Sequence, residues 1–125
     1  MTNLVFLKGN VTQPPYFDRV GEDRRPFLRL YLAVDSGGGH TDFPRVVAYD
    51  ELAETAYGYL RVGSELFVSG RLRTRKITRK EGDHIIKETV VEVVAHDITF
   101  LRGIEWEAGE EMRQRIEAAR DQIAA

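Results

Sequence analysis

FPRVVAYDELAETAYGYLRVGSELFVSGRLRTRKI, residues 43 to 77, holds a change of period that decides the fold. FPRVVAY (43 to 49) is a short β-branched and aromatic run, as strands require. In DELAETAYGYLRVGS (50 to 64) the apolar residues shift to Leu52, Ala53, Ala56, Tyr59 and Leu60, which share one helical face. Asp50 is placed to cap the start of this helix, and Gly63 follows as its C-cap. ELFVSGRLRTRKI (65 to 77) then returns to strand character. The stretch reads strand, short helix, strand.

Outward from it lie three more strand-like runs: NLVFLKGNV (3 to 11), PFLRLYLAV (26 to 34) and HIIKETVVEVVAHDITFL (84 to 101), the last broken near Ala95. In the second, Leu28, Leu30, Leu32 and Val34 alternate with Phe27, Arg29, Tyr31 and Ala33. Five short strands without a βαβ rhythm point to an all-β barrel or sandwich. A short helix between the third and fourth strands is the plan of the OB-fold, a five-stranded Greek-key barrel. DSGGGHTD (35 to 42) reads as a hairpin tip, and RKEGDH (79 to 84) as the loop joining the basic strand to the last one. From Glu105 the pattern changes again, with Met112, Ile116, Ala119 and Ile123 making a narrow apolar stripe on a charged helix. The expected organisation is a barrel domain over residues 1–103 and an amphipathic C-terminal helix over 104–125.

Composition narrows the function classes. The chain has 125 residues, enough for one domain with a core, and no run of about 18 apolar residues to span a membrane. Its start, MTNLVFLKGN, lacks the marks of a secretory signal, so a cytoplasmic protein is expected. With no cysteine there is no disulfide, thiolate ligand or cysteine nucleophile. His40, His84 and His96 are scattered without paired carboxylates at ligand spacing, and SGGGH lacks the Lys and Ser/Thr of a phosphate loop. Neither an enzyme, a metal site nor a cofactor is expected.

The formal net charge is -2, yet RLRTRKITRK (71 to 80) carries six basic residues and no acidic one. On a strand, Arg71, Arg73, Arg75 and Ile77 share one face, while Leu72, Thr74, Lys76 and Thr78 share the other. Successive same-face arginines stand about 6.6 to 7 Å apart, near the spacing of phosphates along a nucleic-acid strand. Guanidinium groups take phosphate bidentately and lie flat on bases. The alternative is a solvated strand whose arginines pair with glutamates across the sheet. Single-strand binders add exposed aromatic platforms to a basic groove, and Phe43 and Tyr49 fall on one face of the third strand if no bulge intervenes. Tyr16, Phe17 and Tyr31 lie nearby in sequence.

Over residues 3 to 102 the chain resembles the bacterial single-stranded DNA-binding proteins of the homo-oligomeric OB-fold type. The resemblance rests on Thr41 through Val47, on Leu52, Ala53, Glu54, Tyr59, Leu60, Gly63 and Ser64, and on Gly70 to Lys76. It implies base stacking at Phe43 and Tyr49, and phosphate contacts at Arg45, Arg73, Arg75 and Lys76, with Arg71, Ile77, Arg79 and Lys80 beside them. Where the family often has tryptophan after Lys76, this chain has Ile77, and its hairpin is the bare SGGGH. A lysine common just before LAE is replaced by Glu51. These departures remove stacking surface and charge and imply weaker binding than is typical of the family. Residues 105 to 125 match neither the flexible linker nor the acidic tip of the family, so a specialised relative is expected.

The implied function is sequence-nonspecific binding and protection of single-stranded DNA in replication, recombination or repair, by a nucleoid-associated dimer or tetramer. Trp106, Met112, Ile116, Ala119 and Ile123 are the expected contacts to a sister subunit or a partner. The rival is a primosomal-type assembly module that binds single strands weakly and docks replication proteins. RNA binding stays open, because nothing in the sequence reads a 2′-hydroxyl.

Overall fold

A computed structural model describes residues 1 to 124, with side chains through Gln122. In chain order the elements are β1 (Val5–Val11), β2 (Tyr16–Val20), β3 (Arg25–Asp35), β4 (Thr41–Asp42), β5 (Arg45–Tyr49), α1 (Asp50–Tyr59), β6 (Glu65–Glu81), β7 (His84–Arg102) and α2 (Trp106–Ala124). The sheet runs β1-β6-β7-β5-β3-β2, and β1 also pairs with β3. That second pairing closes β1, β6, β7, β5 and β3 into a five-stranded barrel, leaving β2 and β4 as additions on β3. All pairings are antiparallel except β5 with β7. The expected OB-type barrel, with its helix between the third and fourth barrel strands, is present.

Alternation along the strands builds the interior. Leu28, Leu30 and Leu32 of β3, Val46 and Ala48 of β5, Leu66 and Val68 of β6, and Val93 and Ala95 of β7 meet inside the barrel. One face of α1, carrying Ala53 and Ala56, joins the same core. Each buried leucine contributes roughly 1.5 to 3 kcal/mol relative to exposure. Ser64, fully buried, receives the Arg61 N–H at 2.9 Å and donates to the Gly103 carbonyl at 2.7 Å, tying the start of β6 to the end of β7.

Several local expectations are corrected. The helix ends at Tyr59, four residues before Gly63, and the Leu60 N–H closes the last turn on Ala56 O. Gly63 instead holds a left-handed turn at φ 91° ahead of β6. Asp50 does not cap the helix, because Arg25 grips both its carboxylate oxygens, at 2.9 and 3.0 Å. The loop expected at 79 to 84 shrinks to Gly82 and Asp83, since Glu81 already pairs with His84. β2, in the unassigned segment after PP, forms a hairpin with β3. The break near Ala95 is a bulge: Ser69 faces Asp97 and Gly70 faces Ala95, so His96 is the extra residue. A side chain at Gly70 would strike the Val94 carbonyl, so the crossing at this bulge demands glycine.

α2 lies on α1 of its own chain. Gly58 lets Met112 approach closely, and a Cβ at Gly109 would overlap the Tyr59 ring. The Tyr59 hydroxyl donates to Glu110 at 2.9 Å, Arg61 pairs with Glu105 at 2.7 Å, and Arg120 pairs with Glu51. Among the described residues no helix is long and apolar enough to cross a membrane.

Candidate nucleic-acid interface

Residues whose parity turns them away from the core build one outer face of the barrel. Through the pairings Arg73 with Glu92, Val47 with Val94, and Phe27 with Tyr49, this face carries Arg71, Arg73 and Arg75 of β6, and Glu92 and Val94 of β7. Arg45, Val47 and Tyr49 follow from β5, then Phe27, Arg29 and Tyr31 from β3. A small second cluster, Phe27, Val47 and Val94 with Val20 and Tyr49, forms its floor. Phe27 is the centre of an aromatic run, 5.5 Å from Tyr49 and 6.4 Å from Tyr16 on β2.

Glu92 sits beneath the arginines with a side chain wholly shielded from solvent. Its Oε1 accepts from Arg73 Nε at 3.1 Å, Arg73 Nη2 at 2.5 Å and Arg75 Nε at 2.8 Å. Arg45 Nε lies 3.0 Å from Oε2. That contact is an ion pair without hydrogen-bond alignment, since both atoms lack a bonded partner. Burial works against ionisation of the carboxyl. Hydrogen bonds and charge from Arg73 and Arg75 outweigh it and hold Glu92 below its ordinary range. Arg73 also donates to the Tyr49 hydroxyl at 2.7 Å. Three guanidinium groups on one carboxylate leave a local charge of two.

The two aromatics implied by the family differ in availability. Val34 pairs with Asp42 and Tyr31 with Arg45, a step of three residues on each strand, so no bulge intervenes and Phe43 stays in phase with Arg45 and Tyr49. Phe43 is 64% exposed and lines a groove of about 560 Å³ with Tyr31, Arg45 and Glu92. Tyr49 is covered by neighbours: Arg25 lies over its ring at 4.5 Å and Arg73 at 5.4 Å. It borders a second groove of about 340 Å³ with Tyr16, Phe27, Arg29, Arg45 and Arg75. Arg29 lies over the Tyr16 ring at 4.5 Å.

The rest of the basic run projects on the β6–β7 hairpin. Lys76, Arg79 and Lys80 are exposed and Ile77 is half-buried, paired with Glu88 across the ladder. Arg79 meets Glu88 at 2.7 Å. Arg71 is exposed at the lower edge. On α2, Trp106 packs edge-on against Tyr59 and Phe100, at 5.5 and 6.3 Å, and remains 55% exposed. Met112 and Ile116 are half-buried and Ala119 is exposed, while the side chain of Ile123 lies outside the described residues. Among the described residues no three of His, Asp and Glu gather as a metal site.

Sequence reading missed Glu92, Arg25, Arg29 and Phe27 as members of this face, and had Tyr16 and Tyr31 only as aromatics nearby in sequence. For Glu92 a signal existed, a lone acid in VVEVV. Counting back from a two-residue turn at Gly82 and Asp83 would have set it opposite Arg73.

A closed five-stranded barrel with an aromatic and arginine-lined outer groove defines the class: an OB-type binding barrel. The model of the single-strand binding protein family matches residues 2–101, and the chain belongs to that family. It is similar to "Single-stranded DNA-binding protein 2" of Clostridium acetobutylicum, 31% identical over 109 residues, covering 83% of this chain and 77% of the relative. A "Single-stranded DNA-binding protein" of Caldanaerobacter subterraneus subsp. tengcongensis is 35% identical over 107 residues, covering 81% and 69%. Another, of Clostridium tetani, is 32% identical over 109 residues, covering 83% and 71%.

Proposed function

We propose that this protein binds single-stranded DNA with little sequence preference and protects it during replication, recombination or repair. The carrying observation is the exposed Phe43 ring beside the Glu92-bound arginines, a stacking platform next to fixed positive charge. A base stacks on Phe43 while phosphates follow Arg45, Arg73, Arg75 and Lys76. Arg71, Ile77, Arg79 and Lys80 extend the path along the hairpin. The relatives' names support the choice of ligand. The barrel over residues 1–103 acts as the binding domain, by sequestration without turnover or a cofactor. Its setting is the cytoplasm, with the nucleoid.

Self-association as a dimer or tetramer belongs to the same proposal. It is supported by an apolar patch on the outer side of β1 and β6, where Leu4 and Phe6 are exposed and Phe6 stacks on Phe67 at 6.2 Å. The exposed Trp106, with α2 around it, is a second place for a sister subunit or a replication protein. Sedimentation of the intact chain and of a Phe6→Ser variant reads this out: a variant with the wild-type mass would exclude the patch.

The deciding experiment is an anisotropy titration of labelled oligo-dT at low and moderate salt, with duplex DNA and a matched RNA oligonucleotide as competitors. Binding that resists duplex and weakens with salt is expected. Preference for the RNA would redirect the reading, and failure to bind at low salt would overturn it.

A further inference from the structure

Desolvating a carboxylate is costly, and well-packed apolar residues often serve stability as well as a buried ion pair does. Glu92 lies between Val91 and Val93, so chain context alone does not explain an acid there. Its bonds do. Arg73 is engaged through two of its nitrogens, with Nε and Nη2 on Glu92 and Nη2 also on the Tyr49 hydroxyl. Arg75 is held by Nε alone, and Arg45 touches the carboxylate by Nε. Among the described residues the terminal nitrogens of Arg45 and Arg75 make no hydrogen bond. Glu92 thus holds the inner edges of these two groups and leaves their outer edges to solvent.

The geometry points to Glu92 as the positioning residue of a one-phosphate subsite, in which the outer edges of Arg45 and Arg75 take a single phosphodiester of the bound strand. This rests on the single-strand reading above. The subsite has a defined place in the path. Arg45 borders both grooves, the one under Phe43 and the one beside Tyr16 and Tyr49. A phosphate held there joins a nucleotide in one groove to a nucleotide in the other. Fixing two planar forks beforehand removes freedom that binding would otherwise have to remove.

Charge alone makes the opposite prediction for removal of the carboxylate. Replacing Glu92 by glutamine adds one net positive charge to the face, which by electrostatics tightens binding and steepens its salt dependence. Positioning predicts weaker binding despite the added charge. The test titrates wild type, Glu92→Gln, Glu92→Asp and Arg75→Lys with labelled oligo-dT across a salt series. In parallel, NMR follows the arginine Nε–H signals of the free proteins.

At moderate salt, Glu92→Gln and Arg75→Lys are each expected to bind about tenfold more weakly, the order of one charge-assisted hydrogen bond. Glu92→Asp should recover part of the loss. Slowly exchanging Nε–H signals from Arg73 and Arg75 should be present in wild type and lost in Glu92→Gln. Tighter binding by Glu92→Gln with a steeper salt slope would overturn the proposal, leaving Glu92 as a charge mask. Wild-type affinity in Arg75→Lys would overturn it too, since lysine keeps the charge and loses the fork. Arg75 is 40% exposed, so this variant tests the idea even if Glu92→Gln does not fold. Failure of wild type itself to bind oligo-dT would mark the single-strand reading as the fault, and the phosphate assignment would fall with it.

Discussion

The basic run RLRTRKITRK has two halves of similar composition and different physics. Arg71, Arg73 and Arg75 cross the barrel, and the latter two converge on a carboxylate with no solvent exposure. Lys76, Arg79 and Lys80 ride further out, on hairpin segments 76–81 and 84–89, which among the described residues pair with each other and with no third strand. At Arg73 and Arg75 in the lower half, charge is partly desolvated and held in position, so each bond is strong and little screened by salt. In the upper half, charge is free in water, where it steers a polyanion but contributes little to stability. Equal charge density in sequence therefore hides an anchor and a rail.

The largest expected effect tests the anchor as a piece of the fold. Glu92→Gln removes the carboxylate under three arginines and should lower stability by about 3 kcal/mol, the usual result of breaking a buried pair. Denaturant unfolding of both proteins reads this out. The pH dependence has a fixed sign. Because the folded-state pKa of Glu92 lies below its ordinary 4.5, its contribution is complete above that value and is lost as pH falls toward the folded pKa. The stability gap between wild type and variant should therefore be widest near neutrality and narrow below pH 4.5. A gap that is already absent at neutral pH would erase the distinction between the halves.

A smaller effect separates platform from scaffold within the lower half. Phe43 is mostly exposed, whereas Tyr49 is covered by Arg25, Arg73 and Phe27. Phe43→Ala should weaken oligo-dT binding by about 1 to 3 kcal/mol. It should change stability by no more than about 0.5 kcal/mol, as exposed substitutions do. Tyr49→Phe, which removes one hydrogen bond from Arg73, should show its loss in stability, by about 1 kcal/mol. Matched melting and anisotropy curves decide the assignment, and a Phe43→Ala protein that unfolds would return Phe43 to the core.

Much of the barrel was legible because alternation is a local property. Leu28, Leu30, Leu32 and Val34 announce the inward side of β3, and Ala53, Ala56 and Tyr59 announce the buried side of α1. β2 was not legible: YFDRV is short, has two charged residues in five, and is flanked by PP and by GEDRR, so it has no alternation to show until β3 pairs with it. Tyr16 and Arg29 are invisible as neighbours for the same reason, since β2 brings them together. The arginine faces could be read from parity alone, whereas their common partner could be read only with the hairpin turn placed as well. Placing Glu92 under Arg73 needs the register of the hairpin, and a one-residue error in the turn moves every side chain to the wrong face. The apolar stripe on α2 was visible, whereas the glycine on α1 that lets Met112 approach was not, because close approach is a property of the pair.

The smallest effect concerns the rail. Arg79 and Glu88 are 57% and 41% exposed, so their pairing should contribute less than about 1 kcal/mol even at low salt. Arg79→Ala with Lys80→Ala should leave the unfolding midpoint within about 0.5 kcal/mol of wild type. On oligo-dT the same pair should flatten the logarithmic salt slope by about 1.4, two phosphate contacts at about 0.7 each. Affinity would then fall at low salt and approach the wild-type value as salt rises, because screening removes from wild type what mutation removed from the variant. Arg73→Ala with Arg75→Ala should lose affinity at every salt concentration, since it also removes fixed hydrogen-bond geometry. If the two double variants gave parallel curves, the arginines over Glu92 would be acting as plain charges, and the basic strand would be one rail from Arg71 to Lys80.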